Sequence, residues 1–298
     1  MENTLTNTSE IISIVLEIIN SICSNLISSI DKTIFPLLDK LVFIDNNIFS
    51  NGDKFNKLLS NSPSNGVLIL ANCLFTAFIL YYTGRLIIAN LTATQIESPP
   101  KFFIKAFLSG VSMNYSLSIS KFLISATSLI STFFCTLGKN VFGKEISFQS
   151  LLTILDTTNY GNIDMLSLNG ILSAMLSISS LALIFSFAFR YIIIEVLIII
   201  SPFAILCTMN NSTVGFFKSW FKSILSLLIL QIIISIMLLI PYTLLNESND
   251  ILFNKVLLVG SLLALLKSNQ FVKEFIGGIG IGTNFQSGVA GIRSLISK

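Results

Sequence analysis

The chain of 298 residues contains no histidine. That absence removes Ser-His-Asp and Cys-His nucleophile systems, His-ligated zinc, histidine-ligated haem and imidazole proton relays. Charge is scarce too: 11% of residues are Asp, Glu, Lys or Arg, and only three are arginine. Without a basic run or an arginine cluster, the footprint of sequence-specific nucleic-acid binding is missing. The four cysteines, Cys23, Cys73, Cys135 and Cys207, stand singly in apolar segments without C-x-x-C spacing, and read as packing residues. The few acids lie far apart, so a carboxylate pair could form only by tertiary contact. There is no G-x-x-x-x-G-K-[ST], and the GGIGIG at 277–282 lacks the preceding strand and following helix of a dinucleotide site, so it reads as a flexible or closely packed tail. An enzyme, a cofactor and a bound metal are therefore not expected.

What the chain has in quantity is apolar length. It is 53% hydrophobic with a mean hydropathy of +0.83. From Leu166 to Leu245 the only charges are Arg190, Glu195, Lys218 and Lys222, and they divide runs that each approach the ~20 residues needed to cross a bilayer as a helix. Lipid offers no partner for a free N–H or C=O, so runs of this kind form helices, whereas barrel strands would be ~10 residues of alternating polarity. The fold class that follows is all-α: a polytopic membrane protein with about five transmembrane helices, N-terminal amphipathic helices and a short C-terminal re-entrant or buried helix. Neither residues 1–65 nor the polar loop at 138–165 could bury a core alone. The organisation divides into a non-spanning region at 1–65, a transmembrane domain at 66–245 and a C-terminal short helix with a Gly-rich tail at 246–298.

Met1 to Glu10 is acidic and polar, without the basic n-region of a signal peptide. From Ile11 to Ile30 the polar residues recur at spacings of three and four, leaving Ile12, Val15, Leu16, Ile19, Cys23, Leu26 and Ile30 on the other side of an amphipathic helix. A second helix is expected over Ile34–Ile44, with Pro36 in its first turn. The pair either lies on the membrane or docks on a partner subunit.

The first span runs from Gly66 to about Gly84, after the breaker-rich NSPSNG at 61–66. ESPPK at 97–101 interrupts the chain. A helical region starts near Phe102, polar for a membrane segment and carrying Lys121 in its middle. One long helix is the preferred reading and two half-spans the alternative. Within 138–165 a short helix is expected over Ser147–Leu155. Spans three and four follow, with Arg190 and Glu195 marking the turn between them. Five residues apart on a helix, those two point about 140° away from each other. Arg190 either snorkels to the interface or serves a pore-lining or intersubunit role. Pro202 bends or breaks the end of span four. Trp220 suits the headgroup belt ahead of span five, Ser223–Leu245, and the eleven-residue apolar run Val256–Leu266 is too short to cross comfortably.

The order of these features resembles the TrbL-like polytopic inner-membrane channel subunit of type IV secretion and conjugal transfer systems. The resemblance covers roughly Gly66 to the C-terminus. It rests on Arg190 at the end of a span, SPFAIL with Pro202, FFKSWFKSIL with Trp220, a span containing LLILQIII, and the tail KSNQFVKEFIGGIGIG at 267–282. It implies an oligomeric scaffold for conjugative DNA or protein transfer, working with other envelope subunits and a secretion ATPase. The translocated substrate, a relaxase–DNA complex or a protein, would touch it only transiently. Arg190, Glu195, Pro202, Trp220 and Lys121 are the structural or channel candidates. The place it implies is the bacterial cytoplasmic membrane, N-terminus outside and C-terminus cytoplasmic. In that arrangement nine basic residues face the cytoplasm and eight, among them Lys218 and Lys222, face outside. The rivals are a secondary transporter and an export or immunity permease for a small solute or peptide.

Overall fold

A computed structural model describes residues 2–44, 66–93, 98–151, 167–245 and 251–276. Every principal element in it is helical, and no strand occurs among the described residues. In chain order the helices are α1 (Glu2–Val42), α2 (Val67–Thr92), α3 (Pro99–Asn114), α4 (Ser116–Phe142), α5 (Leu168–Leu206), α6 (Val214–Leu245) and α7 (Ile251–Ile276). A 3-10 turn, Cys207–Met209, follows α5. Four of them, α2, α4, α5 (continued through the 3-10 turn) and α6, are long and apolar enough to cross a membrane. The chain is thus compatible with a multi-pass membrane protein.

Residues 168–206 hold no turn at Arg190 and Glu195, contrary to expectation. Helix α5 runs unbroken for 39 residues, about 58 Å at 1.5 Å per residue. The charges do not interrupt it because every backbone group around them has its partner within the helix. Pro202 lies inside α5 near its end, and the helix continues to Leu206. Its ring removes the N–H that would reach Ile198, and the Ser201 hydroxyl donates to that carbonyl instead at 2.7 Å. The two expected N-terminal helices are likewise one: Pro36 sits inside α1.

The long region from Phe102 is neither one helix nor two half-spans: it divides into the 16-residue α3 and a 27-residue α4 long enough to cross a membrane by itself. Pro99 and Pro100 open α3, where the first turn needs no N–H donors. At Tyr115 the backbone enters the sparsely populated region at φ −93°, ψ 8°, and α4 begins at Ser116. Helix α4 closes on Gly143 in the left-handed conformation, φ 67°, with its N–H bonded to the Lys139 carbonyl at 2.9 Å. The expected helix at Ser147–Leu155 is represented by a turn at 148–151; its remainder lies outside the described residues, as do GGIGIG and most of the N-terminal apolar stripe's side chains. The C-terminal helix is longer than the eleven-residue run implied, because α7 recruits polar residues at both ends.

Packing is centred on α5. One cluster joins Phe35, Leu38 and Val42 of α1 to Leu183 and Phe187 of α5, Ile234 and Leu238 of α6, and Leu258 and Leu262 of α7. A second joins Ile44, Ile124, Ile194, Ile198, Trp220 and Leu227. The final third of α1 is therefore inside the bundle rather than on a membrane surface, while Ile14, Val15, Ile18 and Ile19 of its earlier part are exposed. Outward-facing residues such as Leu80, Phe103, Phe107, Phe122 and Leu129 give α2, α3 and α4 broad apolar faces suited to lipid or a neighbouring subunit. The serines that make these segments polar are mostly reconciled locally: Ser120 donates to Ser116, Thr127 to Leu123 and Ser125 to Lys121 carbonyls one turn back.

Candidate functional site at the buried end of the first helix

An α-helix ends with carbonyls that have no partner within it, and its C-terminus carries a partial negative charge. Helix α1 ends inside the bundle, so its carbonyls must be met there. Arg190 Nη2 donates to Val42 O at 2.8 Å, and Gln231 Nε2 donates to Ile44 O at 3.1 Å. Each donor is 1% exposed. Arg190 lies on the stripe Leu183, Phe187, Arg190, Ile194, Leu197, the face of α5 turned to the interior. Its guanidinium stands 5.8 Å from the Phe187 ring centre. Its Nε and Nη1, and Gln231 Oε1, have no partner. The snorkelling expected for Arg190 does not occur, because its side chain is engaged by the end of α1.

The same helix carries Asp39 one turn earlier. Its carboxylate accepts from Phe148 N at 2.7 Å and Gln149 N at 3.1 Å, capping the 148–151 turn from another element. Burial raises the Asp39 carboxyl above its ordinary value, against the pull of those two N–H groups. Tyr242 of α6 fixes the turn from the other side: its hydroxyl donates to Ser147 O at 2.8 Å and accepts from Ser147 N at 3.2 Å. Ser131 of α4 and Ser235 of α6 share a short hydroxyl–hydroxyl bond. Between these elements lies a cavity of about 370 Å³, lined by Asp39, Ser128, Ser131, Thr132 and Gln231 among others.

The sequence candidates do not converge on one point. Arg190 sits at the α1 terminus. Trp220 is 5% exposed, and its Nε1 donates to Leu197 O at 2.9 Å, two turns along α5. It is an interior bolt between α5 and α6 rather than a headgroup anchor, because the α5 interior face continues past Glu195 to meet it. Glu195 is half-buried on α5, with Tyr191 as its charged-state neighbour, and makes no ion pair with Arg190. Pro202 is buried in the last turns of α5, and Lys121 is half-buried in the second turn of α4. Asp39 and Gln231 were not among the candidates. Gln231 had a signal, being the one amide inside α6; Asp39 had none beyond its helix.

Lys105 Nζ bonds to Asn211 Oδ1 at 2.9 Å, which fixes α3 against the turn between α5 and α6. Lys218 and Lys222 follow in the first turns of α6. With α5 a single helix, these two lysines share an end of the bundle with Lys105 instead of facing the opposite side. At the far end, Lys255 of α7 bonds to Asn169 and Ser173 near the start of α5. No family model, curated protein or solved structure matches this chain.

Proposed function

We propose that this chain is an oligomeric channel or platform subunit of a type IV secretion machine in a bacterial cytoplasmic membrane, scaffolding the passage of DNA or protein. The observation that carries this reading is a coincidence of position. The residues whose order resembles the channel subunit, Arg190, the SPFAIL segment (through Ile205 O, which accepts from Ser109 of α3), Trp220 and the amide of LLILQIII, are those that join helices at the centre of the bundle. Arg190 and Gln231 hold α1, and Trp220 ties α6 to α5. A subunit that transmits work from an ATPase partner needs such internal joints, and the apolar outer faces of α2, α3 and α4 supply area for neighbouring subunits. The chain itself contributes no catalytic step.

In the proposed topology α7 makes a fifth pass. It begins beside α5 at Lys255 and runs back along α6 towards the α5–α6 turn. The N-terminus and the 138–165 loop are then outside, and the C-terminus is cytoplasmic. Arg85, Lys101, Lys105, Lys218, Lys222, Lys267, Lys273, Arg293 and Lys298 face the cytoplasm; Lys32, Lys40, Lys54, Lys57, Lys139, Lys144 and Lys255 face outside. The balance of nine to seven has the sign of the positive-inside rule. A cysteine at Thr157 labels with an impermeant thiol reagent in intact cells on this topology; labelling only after lysis overturns it.

A secondary transporter is the second reading, favoured by the polar cavity beside Gln231. Transfer assays separate the two. Arg190→Ala combined with Trp220→Ala should lower transfer of DNA or protein at normal expression. Transfer at the wild-type rate removes these residues from the account, and solute uptake by the purified protein in liposomes supports the transporter.

A further inference from the structure

The end of the bundle where α5 turns into α6 carries a charge and a groove that the scaffold reading does not use. Helices α2, α3 and α6 and the 207–213 turn contain five cations, Arg85, Lys101, Lys105, Lys218 and Lys222, and no Asp or Glu. Glu97, outside the described residues, is the only acid from residue 66 to residue 144. Arg85, Lys101, Lys218 and Lys222 are exposed. Tyr82 of α2 stacks on Phe102 of α3 with ring centres 3.5 Å apart, which sets Arg85 and Lys101 at the same end of that helix pair. Met209 of the 3-10 turn belongs to the same cluster and joins that end to the start of α6.

Beside this charge lies a groove of about 350 Å³. Leu74, Ala77, Phe78 and Tyr81, which share one face of α2, line it together with Asn210. Leu74 is 42% and Tyr81 60% exposed, so apolar surface lies open along a helix long enough to cross a membrane. Cations from three helices frame it. Arg85 follows Tyr81 by one turn on the same face of α2. Lys105 of α3 is held by Asn211, the neighbour of Asn210, at 2.9 Å. Lys218 follows Phe217 of α6, which packs with Phe75 and Phe78 against one cluster. A soluble anion has no use for the apolar floor, and a lipid without net charge has none for the cations. We propose that this groove binds an anionic phospholipid, one acyl chain lying along Leu74, Phe78 and Tyr81 and the phosphate among Arg85, Lys105 and Lys218. The site requires the chain to lie in a bilayer and is independent of whether it works in a secretion platform.

The test uses the full chain in an uncharged detergent, unfolded by heat and followed by the fluorescence of its single tryptophan, Trp220. Phosphatidylglycerol, phosphatidylcholine with the same acyl chains, or inorganic phosphate is added. Phosphatidylglycerol should raise the Tm in a saturable way, by roughly 5–10 °C at about a hundredfold excess over Kd, and the other two should not. Arg85→Gln and Lys218→Gln should each weaken the apparent affinity about fivefold, the loss of one basic side chain beside an anionic headgroup. Ala77→Phe, which fills the groove from an exposed position, should abolish the shift. Lys139→Gln, at the other end of α4, should keep it. An equal shift with phosphatidylcholine would mean a groove for any lipid, and one with inorganic phosphate a plain anion site; either overturns the proposal. So does no saturable shift with phosphatidylglycerol, or an unchanged shift in Arg85→Gln or in Ala77→Phe.

Discussion

Replacing Arg190 separates two contributions that a single variant would confound. Both Arg190→Met and Arg190→Ala remove the charge-assisted bond to Val42 O, which keeps only the 3.2 Å bond from Ile44 N, at a cost of ~1.5–3 kcal/mol. Both also relieve the burial of a guanidinium whose Nε and Nη1 have no partner. Substituting a buried ionic group by an apolar one of similar volume recovers ~1–4 kcal/mol in other proteins. These effects oppose each other, so Arg190→Met should lie within ~2 kcal/mol of wild type. Alanine additionally leaves a void against Phe187, at the ~2–5 kcal/mol of a large-to-alanine core substitution. Arg190→Ala should therefore be less stable than Arg190→Met by about that amount. Denaturant titration of the purified protein, read by Trp220 fluorescence, measures the difference. In Arg190→Met, limited proteolysis should also cut α1 faster than in wild type, because the end of the helix has lost its clamp. Equal destabilisation by the two substitutions would refute the reasoning, since it would mean that the charge itself, rather than the filled volume and the single bond, holds this site.

Gly138→Ala should destabilise by ~1–3 kcal/mol in the same titration, because a Cβ there collides with Leu239 and Ile146 where α4 crosses α6. Trp220→Phe keeps an aromatic ring but loses the bond to Leu197 O, and should cost ~0.5–1.5 kcal/mol in a denaturant titration followed by circular dichroism, since the single tryptophan is gone. The raised carboxyl of Asp39 means that the folded state holds this proton more tightly than the unfolded chain. Its contribution to stability is present at low pH and is lost as pH rises from the ordinary carboxylate value through the raised one. Asp39→Asn should flatten that part of the stability–pH profile; an unchanged profile would assign it to another group. Cys135 and Tyr242 also face Asp39, a thiol and a phenol with ordinary values of about 8.5 and 10, and the Lys139–Glu145 pair is solvent-exposed.

Helical, membrane-compatible character was legible because it depends on composition and on the lack of backbone partners in lipid. The boundary at Pro99–Pro100 was legible too, but the loop expected from residue 138 starts only after Phe142, and Pro36 and Pro202 lie inside helices. Charge was a poorer guide. Arg190 and Glu195 looked like the edge of a span because charge usually sits at interfaces; yet Arg190 is held inside by a helix terminus more than a hundred residues away in sequence, a contact that no local pattern encodes. Trp220 misled for the same reason, since amphipathic indole suits both a headgroup belt and an interior carbonyl. Its choice was made by the unbroken length of α5. The stripe Leu183, Phe187, Arg190, Ile194, Leu197 does place the arginine on one face, but α5 is apolar all round and the pattern alone does not say which face is inward. Asp39 was invisible as a site residue because its partners, Phe148 N and Gln149 N, are backbone groups of a distant turn.

The most direct test of the platform reading is to purify the tagged protein from its own host in a mild detergent and identify by mass spectrometry what accompanies it. The account predicts a secretion ATPase and other envelope subunits at consistent stoichiometry. Recovery of the chain alone or as a small homo-oligomer would contradict it and leave the transporter as the better description.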